Sequence, residues 1–187
     1  MLGFIRRRRL RRDGDEKALL HISDTPEKVY PFIEQLIDEL RPEYIVHTGD
    51  LVDNVKLERR PDLKPRYEGG LRRLARILKS SGSRLYIVPG NEDDEELLKE
   101  YFEDSILRPG TVLEIEGIRF AVGHRPEDVA GLQAEFKLYG HNFRATRNGL
   151  NGLKSANVVF IPSKRVVKIG YPPGTDTCRG YKLWRGL

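Results

Sequence analysis

A chain of 187 residues, 39% hydrophobic and 33% charged, is long enough for one domain with a substantial core and short for two. Its single cysteine, Cys178, excludes an internal disulfide, and no apolar run approaches the roughly 20 residues that span a bilayer. No apolar stretch follows the basic N-terminus to act as a signal-peptide core, so the expectation is a cytoplasmic protein.

The formal net charge of +5 is unevenly spread, with six arginines between Arg6 and Arg12. Residues 1–16 read as a basic arm, either solvated or in contact with an anionic polymer such as nucleic acid. No aromatic stacking platform accompanies these arginines. Residues 17–187 read as a single domain.

Ala18 to Ser23 is a short apolar run ended by Asp24, which reads as a buried strand. Val29, Phe32, Ile33, Leu36, Ile37 and Leu40 follow at helical spacing, and Pro42 stops that helix. Tyr44 to His47 is a second strand, ended by Gly49-Asp50, and the polar stretch 54–66 reads as a loop. Leu71, Leu74, Ile77 and Leu78 mark a second helix. Leu85 to Val88 is a third strand, ended by Gly90-Asn91, and Leu97, Leu98, Tyr101 and Phe102 mark a third helix. This alternation predicts an α/β layered domain with a partly parallel sheet.

The second half is richer in strands. Residues 112–115 and 118–122 flank Glu116-Gly117 as a hairpin, and residues 136–139 form a strand ended by Gly140-His141. The turn-rich stretch 148–152 reads as a loop. Residues 158–161 and 166–169 form a second hairpin around Pro162-Ser163-Lys164, and Tyr181 to Trp184 is a candidate closing strand. Cys178 falls in a Gly/Pro/Thr-rich loop, 172–180, and reads as a bystander.

Asp24, Asp50, Asn91, His124 and His141 each follow an apolar run, and in open α/β sheets ligands bind at the carboxyl ends of strands. Asp, Asn and His together suit a divalent metal such as manganese, iron, zinc or nickel. Taken alone, Asp24-Thr25-Pro26 is also a good helix cap, and Gly49-Asp50 and Gly90-Asn91 are ordinary turns. Asp53 reads as a supporting acceptor, and His21 and His47 as structural groups behind the site loops.

The set resembles the calcineurin-like metallophosphoesterase family, whose pattern is D-x-H, GDxxD, GNH followed by an acid, a lone His, and GHxH. The matching residues are Asp24-Thr25-Pro26, Gly49-Asp50-Leu51-Val52-Asp53, Gly90-Asn91-Glu92-Asp93, Gly123-His124 and Gly140-His141-Asn142-Phe143. The resemblance implies mixed β-sheets packed together and flanked by helices, one or two divalent metals per chain, and hydrolysis of phosphate esters. It assigns one metal site to Asp50, Asn91, His124 and His141, and this set is complete. The other site retains Asp24 and the bridging Asp50, but its histidines are Pro26 and Phe143, which cannot ligate. The family's proton-donating histidine is Glu92 here.

The resemblance therefore leads to a phosphoesterase, with a phosphodiester attacked by water on one metal. Asp24 is then an extra ligand or general base, and Glu92 a general acid if burial keeps it protonated. Asp93 to Glu96 crowd Glu92 with like charge, and Phe143 is expected to pack over the vacated site. The competing reading is an inactive binding or scaffold subunit of the same fold, possibly touching nucleic acid through the arm.

Overall fold

A computed structural model describes residues 10–180. Tyr181–Trp184 and most of the arginine run, Arg6 to Arg9, lie outside the described residues. Nine strands are described: β1 (Lys17–Ile22), β2 (Tyr44–His47), β3 (Arg84–Ile87), β4 (Thr111–Ile115), β5 (Ile118–Val122), β6 (Phe136–Tyr139), β7 (Gly149–Asn151), β8 (Ser155–Ile161) and β9 (Val166–Gly170). The helices are α1 (Tyr30–Leu40), α2 (Lys64–Ser80), α3 (Glu95–Phe102), α4 (Pro126–Ala130) and α5 (Thr175–Cys178), besides short 3-10 turns.

The strands form two mixed sheets, in the orders β3-β2-β1-β8-β9 and β4-β5-β6-β7. Residue alternation in β1 shows how the layers stack. Ala18, Leu20 and Ile22 join a core built with the helices, while Leu19 joins a second core with Phe120, Val122 and Leu138 of the other sheet. The first sheet is thus buried on both faces, which explains its unbroken apolar strands. Val129 of α4 and Leu132 cover Ala121 and Tyr139 on the outer face of the second sheet.

Parallel pairing brings the candidate residues to one edge. Ile22 pairs with His47 and His47 with Ile87, so β1, β2 and β3 end level. In the second sheet Val122 pairs with Leu138, also in parallel.

Several expectations change. Residues 61–63 form a 3-10 turn and α2 begins at Lys64, because Pro61 and Pro65 each sit at a helix-start position that tolerates a missing N–H. The predicted loop at 148–152 contains β7, which pairs in parallel with β6. Cys178 ends the short helix α5 instead of lying in a loop. The last residues of the expected arm are docked: Leu10 is buried, and Arg12 donates to Glu43 and to the carbonyls of Leu40 and Arg41. Among the described residues no helix is long and apolar enough to cross a membrane.

Candidate metal centre

Five loops carry the candidate ligands to the common strand edge. Asp24, Asp50 and His141 hold positive φ angles of 51°, 55° and 66°, a conformation that costs a non-glycine residue roughly 1–3 kcal/mol. Three strained residues in one place mean that their side-chain directions are imposed by the surroundings. Glycines permit the close approach. A Cβ on Gly49 would lie 2.5 Å from His124 Nδ1, and one on Gly140 would lie 2.1 Å from Asp24 Oδ2.

Asp93 locks the two central loops together. Its carboxylate accepts the backbone N–H groups of Asp50, Leu51 and Gly90 and the Tyr67 hydroxyl, each at 2.8 Å. Burial pushes its pKa up, against the pull of these donors. Asp94 accepts from the Leu97 N–H as the N-cap of α3. The acidic run after Glu92 is therefore mostly spent on loop closure and capping and does not crowd Glu92 as expected. Asp24 caps no helix: its Oδ2 accepts from the Ser23 hydroxyl and the His141 N–H, and the first turn starts after Pro26 without a side-chain cap.

His21 and His47 lie behind the ligands. The Thr25 hydroxyl donates to the Leu51 carbonyl, so His47 Nε2 must donate to Thr25 while Nδ1 accepts from Gly49 N–H. His21 bonds Thr48 Oγ1 through Nε2 and faces the Asn157 amide through Nδ1. Burial lowers both pKa values to about 3, so both rings are neutral braces.

His124 Nδ1 lies 2.7 Å from the Thr48 carbonyl, which can only accept. Nδ1 therefore donates to this carbonyl, and Nε2 is the ring atom turned to the site. Asn91 Oδ1 and His141 Nδ1 each lie 3.1 Å from that Nε2, and Asp50 Oδ2 lies 3.6 Å away. Asp50, His124 and His141 offer ligand atoms within 4.8 Å of one another. Burial and the nearby Asp24, Asp93 and Asp53 push the Asp50 pKa well up, and burial with His124 beside it lowers that of His141. Convergent imidazole nitrogens, an amide oxygen and a carboxylate are a donor set that fits a divalent cation.

The place of the other metal differs. Asp24, Asp50 and Asp53 form a second group of carboxylates within 4.8 Å, all buried. Asp53 is a member of this cluster: its Oδ1 accepts from Lys56, but its Oδ2 and Asp24 Oδ1 have no hydrogen-bond partner among the described residues. Burial, with Asp24 adding to it, pushes the Asp53 pKa up to about 7. Phe143 does not pack over this place; it is 54% exposed, with the Lys154 ammonium 5.9 Å from its ring. Pro26 and Phe143 offer no ligand, so these residues do not reproduce the family's other metal site.

Glu92 is buried beside the cleft, and its carboxylate accepts the Glu58 N–H and lies 4.0 Å from Lys56. Two neighbouring cations were missed in the sequence. Lys56, three residues after Asp53, carried no motif; Arg179 lies 155 positions from Asp24, whose carbonyl it binds. A cleft of about 380 Å³ opens between Asp50, Lys56, Asn91, Glu92, His141 and Arg179.

The calcineurin-like phosphoesterase family profile matches residues 18–185. The chain belongs to this family. Among solved structures, the chain is similar to YfcE, a phosphoesterase from E. coli, at 16% identity and a TM-score of 0.51, covering 80% of this chain and 96% of that one. It is also similar to AQ665 from Aquifex aeolicus, a protein of unknown function, at 22% identity and a TM-score of 0.45, covering 73% and 89%. At such identities the likeness to YfcE shows the fold. No curated protein sequence matches.

Proposed function

We propose that this protein is a metal-dependent phosphodiesterase that holds one divalent ion through Asp50, Asn91, His124 and His141. The observation that carries the reading is His124, whose Nδ1 proton is committed to the Thr48 carbonyl so that Nε2 faces Asn91, His141 and Asp50 as a ligand. A divalent ion bound there acidifies water and neutralises phosphoryl charge. Manganese, iron, zinc and nickel all suit the donor set.

The chain's own residues do the rest. The Asp24 carboxylate is anchored through Oδ2, and its Oδ1 stands ready beside Asp50 to take the proton of the attacking water. Glu92, which accepts from Glu58 N–H and lies 4.0 Å from the Lys56 ammonium, is a positioning residue rather than the proton donor the family pattern suggests. The cleft is small, which favours a small or exposed phosphate ester. A phosphodiester carries one negative charge and suits a site with one dication among several carboxylates better than a dianionic monoester does.

The test measures bound manganese and hydrolysis of bis(p-nitrophenyl) phosphate and p-nitrophenyl phosphate in the wild type and in His124→Ala. The expected result is metal-dependent cleavage with preference for the diester, and loss of both metal and cleavage in the variant. A wild type that binds no divalent ion refutes the reading. The binding-subunit alternative, which Pro26 and Phe143 favour, then takes its place.

A further inference from the structure

The buried carboxylates of Asp24, Asp50 and Asp53 already have fixed counter-charges. Lys56 Nζ donates to Asp53 Oδ1 and lies 4.0 Å from Glu92. Its side chain remains 32% exposed and lines the cleft. Arg179 is only 1% exposed, an unusual place for a guanidinium. Its Nε donates to the Asp24 carbonyl at 2.7 Å and lies 3.6 Å from Asp53 Oδ2. Its Nη1 donates to the Leu153 carbonyl and to Asp176, each at 2.9 Å.

Three acceptors therefore fix Arg179, and it cannot swing away. Its Nη2, Asp24 Oδ1 and Asp53 Oδ2 are all buried without a hydrogen-bond partner among the described residues. A dication among these carboxylates would face one immovable cation and a second one bonded to Asp53. Repulsion between like charges at such distances in a buried site is strong. Two histidines that would compensate by ligation are absent, since their positions hold Pro26 and Phe143.

We propose that Lys56 and Arg179 stand in for the second metal ion, so that the chain holds a single divalent ion. Arg179 neutralises the carboxylates from inside the fold. Lys56, the exposed member, reaches from Asp53 into the cleft and holds a non-bridging phosphoryl oxygen as a point charge. The inference rests on the single-metal reading above, and its test separates the two.

Manganese binding is measured by equilibrium dialysis, and inorganic phosphate affinity of the manganese-loaded protein by calorimetry, for the wild type, Lys56→Met and Lys56→Arg. The exposed Lys56 side chain makes folded variants obtainable, checked by circular dichroism. The expected result is one ion per wild-type chain, phosphate affinity at least tenfold weaker in Lys56→Met, and recovery in Lys56→Arg. Two ions per wild-type chain overturn the substitution of metal by side chains while leaving the phosphoesterase reading standing. One ion with phosphate affinity unchanged in Lys56→Met overturns the role of Lys56. No ion in the wild type overturns both readings.

Discussion

Acid should weaken this fold through His21, and the effect can be sized. The ring is fully buried with its pKa lowered to about 3 by burial alone, against about 6.5 in an unfolded chain. Below pH 6.5 the unfolded chain takes up a proton that the folded one refuses until about pH 3. The contribution of His21 is therefore complete above pH 6.5 and is lost as pH falls toward 3, at about 1.4 kcal/mol per pH unit. Between pH 7.5 and 5 the loss is about 2 kcal/mol, a sizeable part of a typical stability of about 5–15 kcal/mol. Asp53, with its pKa raised to about 7 by burial, titrates with opposite sign in the same window, and burial shifts Asp50 in the same direction. The measurement is therefore a difference: urea unfolding of the wild type and of His21→Gln at pH 7.5, 6 and 5, followed by circular dichroism. The amide can still donate to Thr48 but cannot be protonated, and the carboxylates cancel. The stability gap should move in favour of the variant by about 2 kcal/mol from pH 7.5 to 5. A gap independent of pH would refute the neutral-brace assignment.

Gly140→Ala places a methyl 2.1 Å from both Asp24 Oδ2 and Ser23 Oγ. It should cost about 1–3 kcal/mol and weaken manganese binding, because His141 follows directly; calorimetry with unchanged affinity would show that the loops adapt. Glu92→Gln should lower diester cleavage by less than about tenfold and leave the alkaline limb of the pH–rate profile in place, whereas loss of a general acid costs about 100-fold or more.

The strand-end candidate residues were legible because each followed an apolar run with a glycine before it or a turn after it, a signal local in sequence. The parallel half of the first sheet, both hairpins and the convergence of Asp50, Asn91, His124 and His141 followed from that signal. β7 was not legible: a three-residue strand at Gly149–Asn151 owes its existence to pairing with β6, and its composition alone says turn. The start of α2 was hidden by polar residues that form its exposed first turns, although Pro65 marked it. Asp53 read as a supporting acceptor, and Lys56 and Arg179 fell in no motif. Their roles come from burial and from contacts across the fold, such as Arg179 with Asp24, which no local pattern encodes.

The same charge arrangement determines what metal removal should do. A site that needed two dications to hold Asp24, Asp50 and Asp53 together would fall apart in chelator. Here Lys56 and Arg179 would remain without a metal, and none of the candidate ligand side chains belongs to the cores between the sheets and under the helices. Protons also help: the Asp53 pKa of about 7 lies above its unfolded value, so its contribution is present at low pH and is lost as pH rises through 7. The apo protein should therefore melt cooperatively in EDTA at pH 7.5. Its Tm should lie below that of the manganese form by only the linkage of one ion. At free metal 100 times Kd this linkage is about 2.7 kcal/mol, or roughly 5–10 °C for a chain of this size. The gap should narrow at pH 6, where Asp53 is protonated in the apo form, while His21 and His47, which hold no metal, act on both forms alike. Calorimetric melts at the two pH values test this. An EDTA-treated protein already unfolded at 25 °C would mean that metal, not Lys56 and Arg179, holds the carboxylates together.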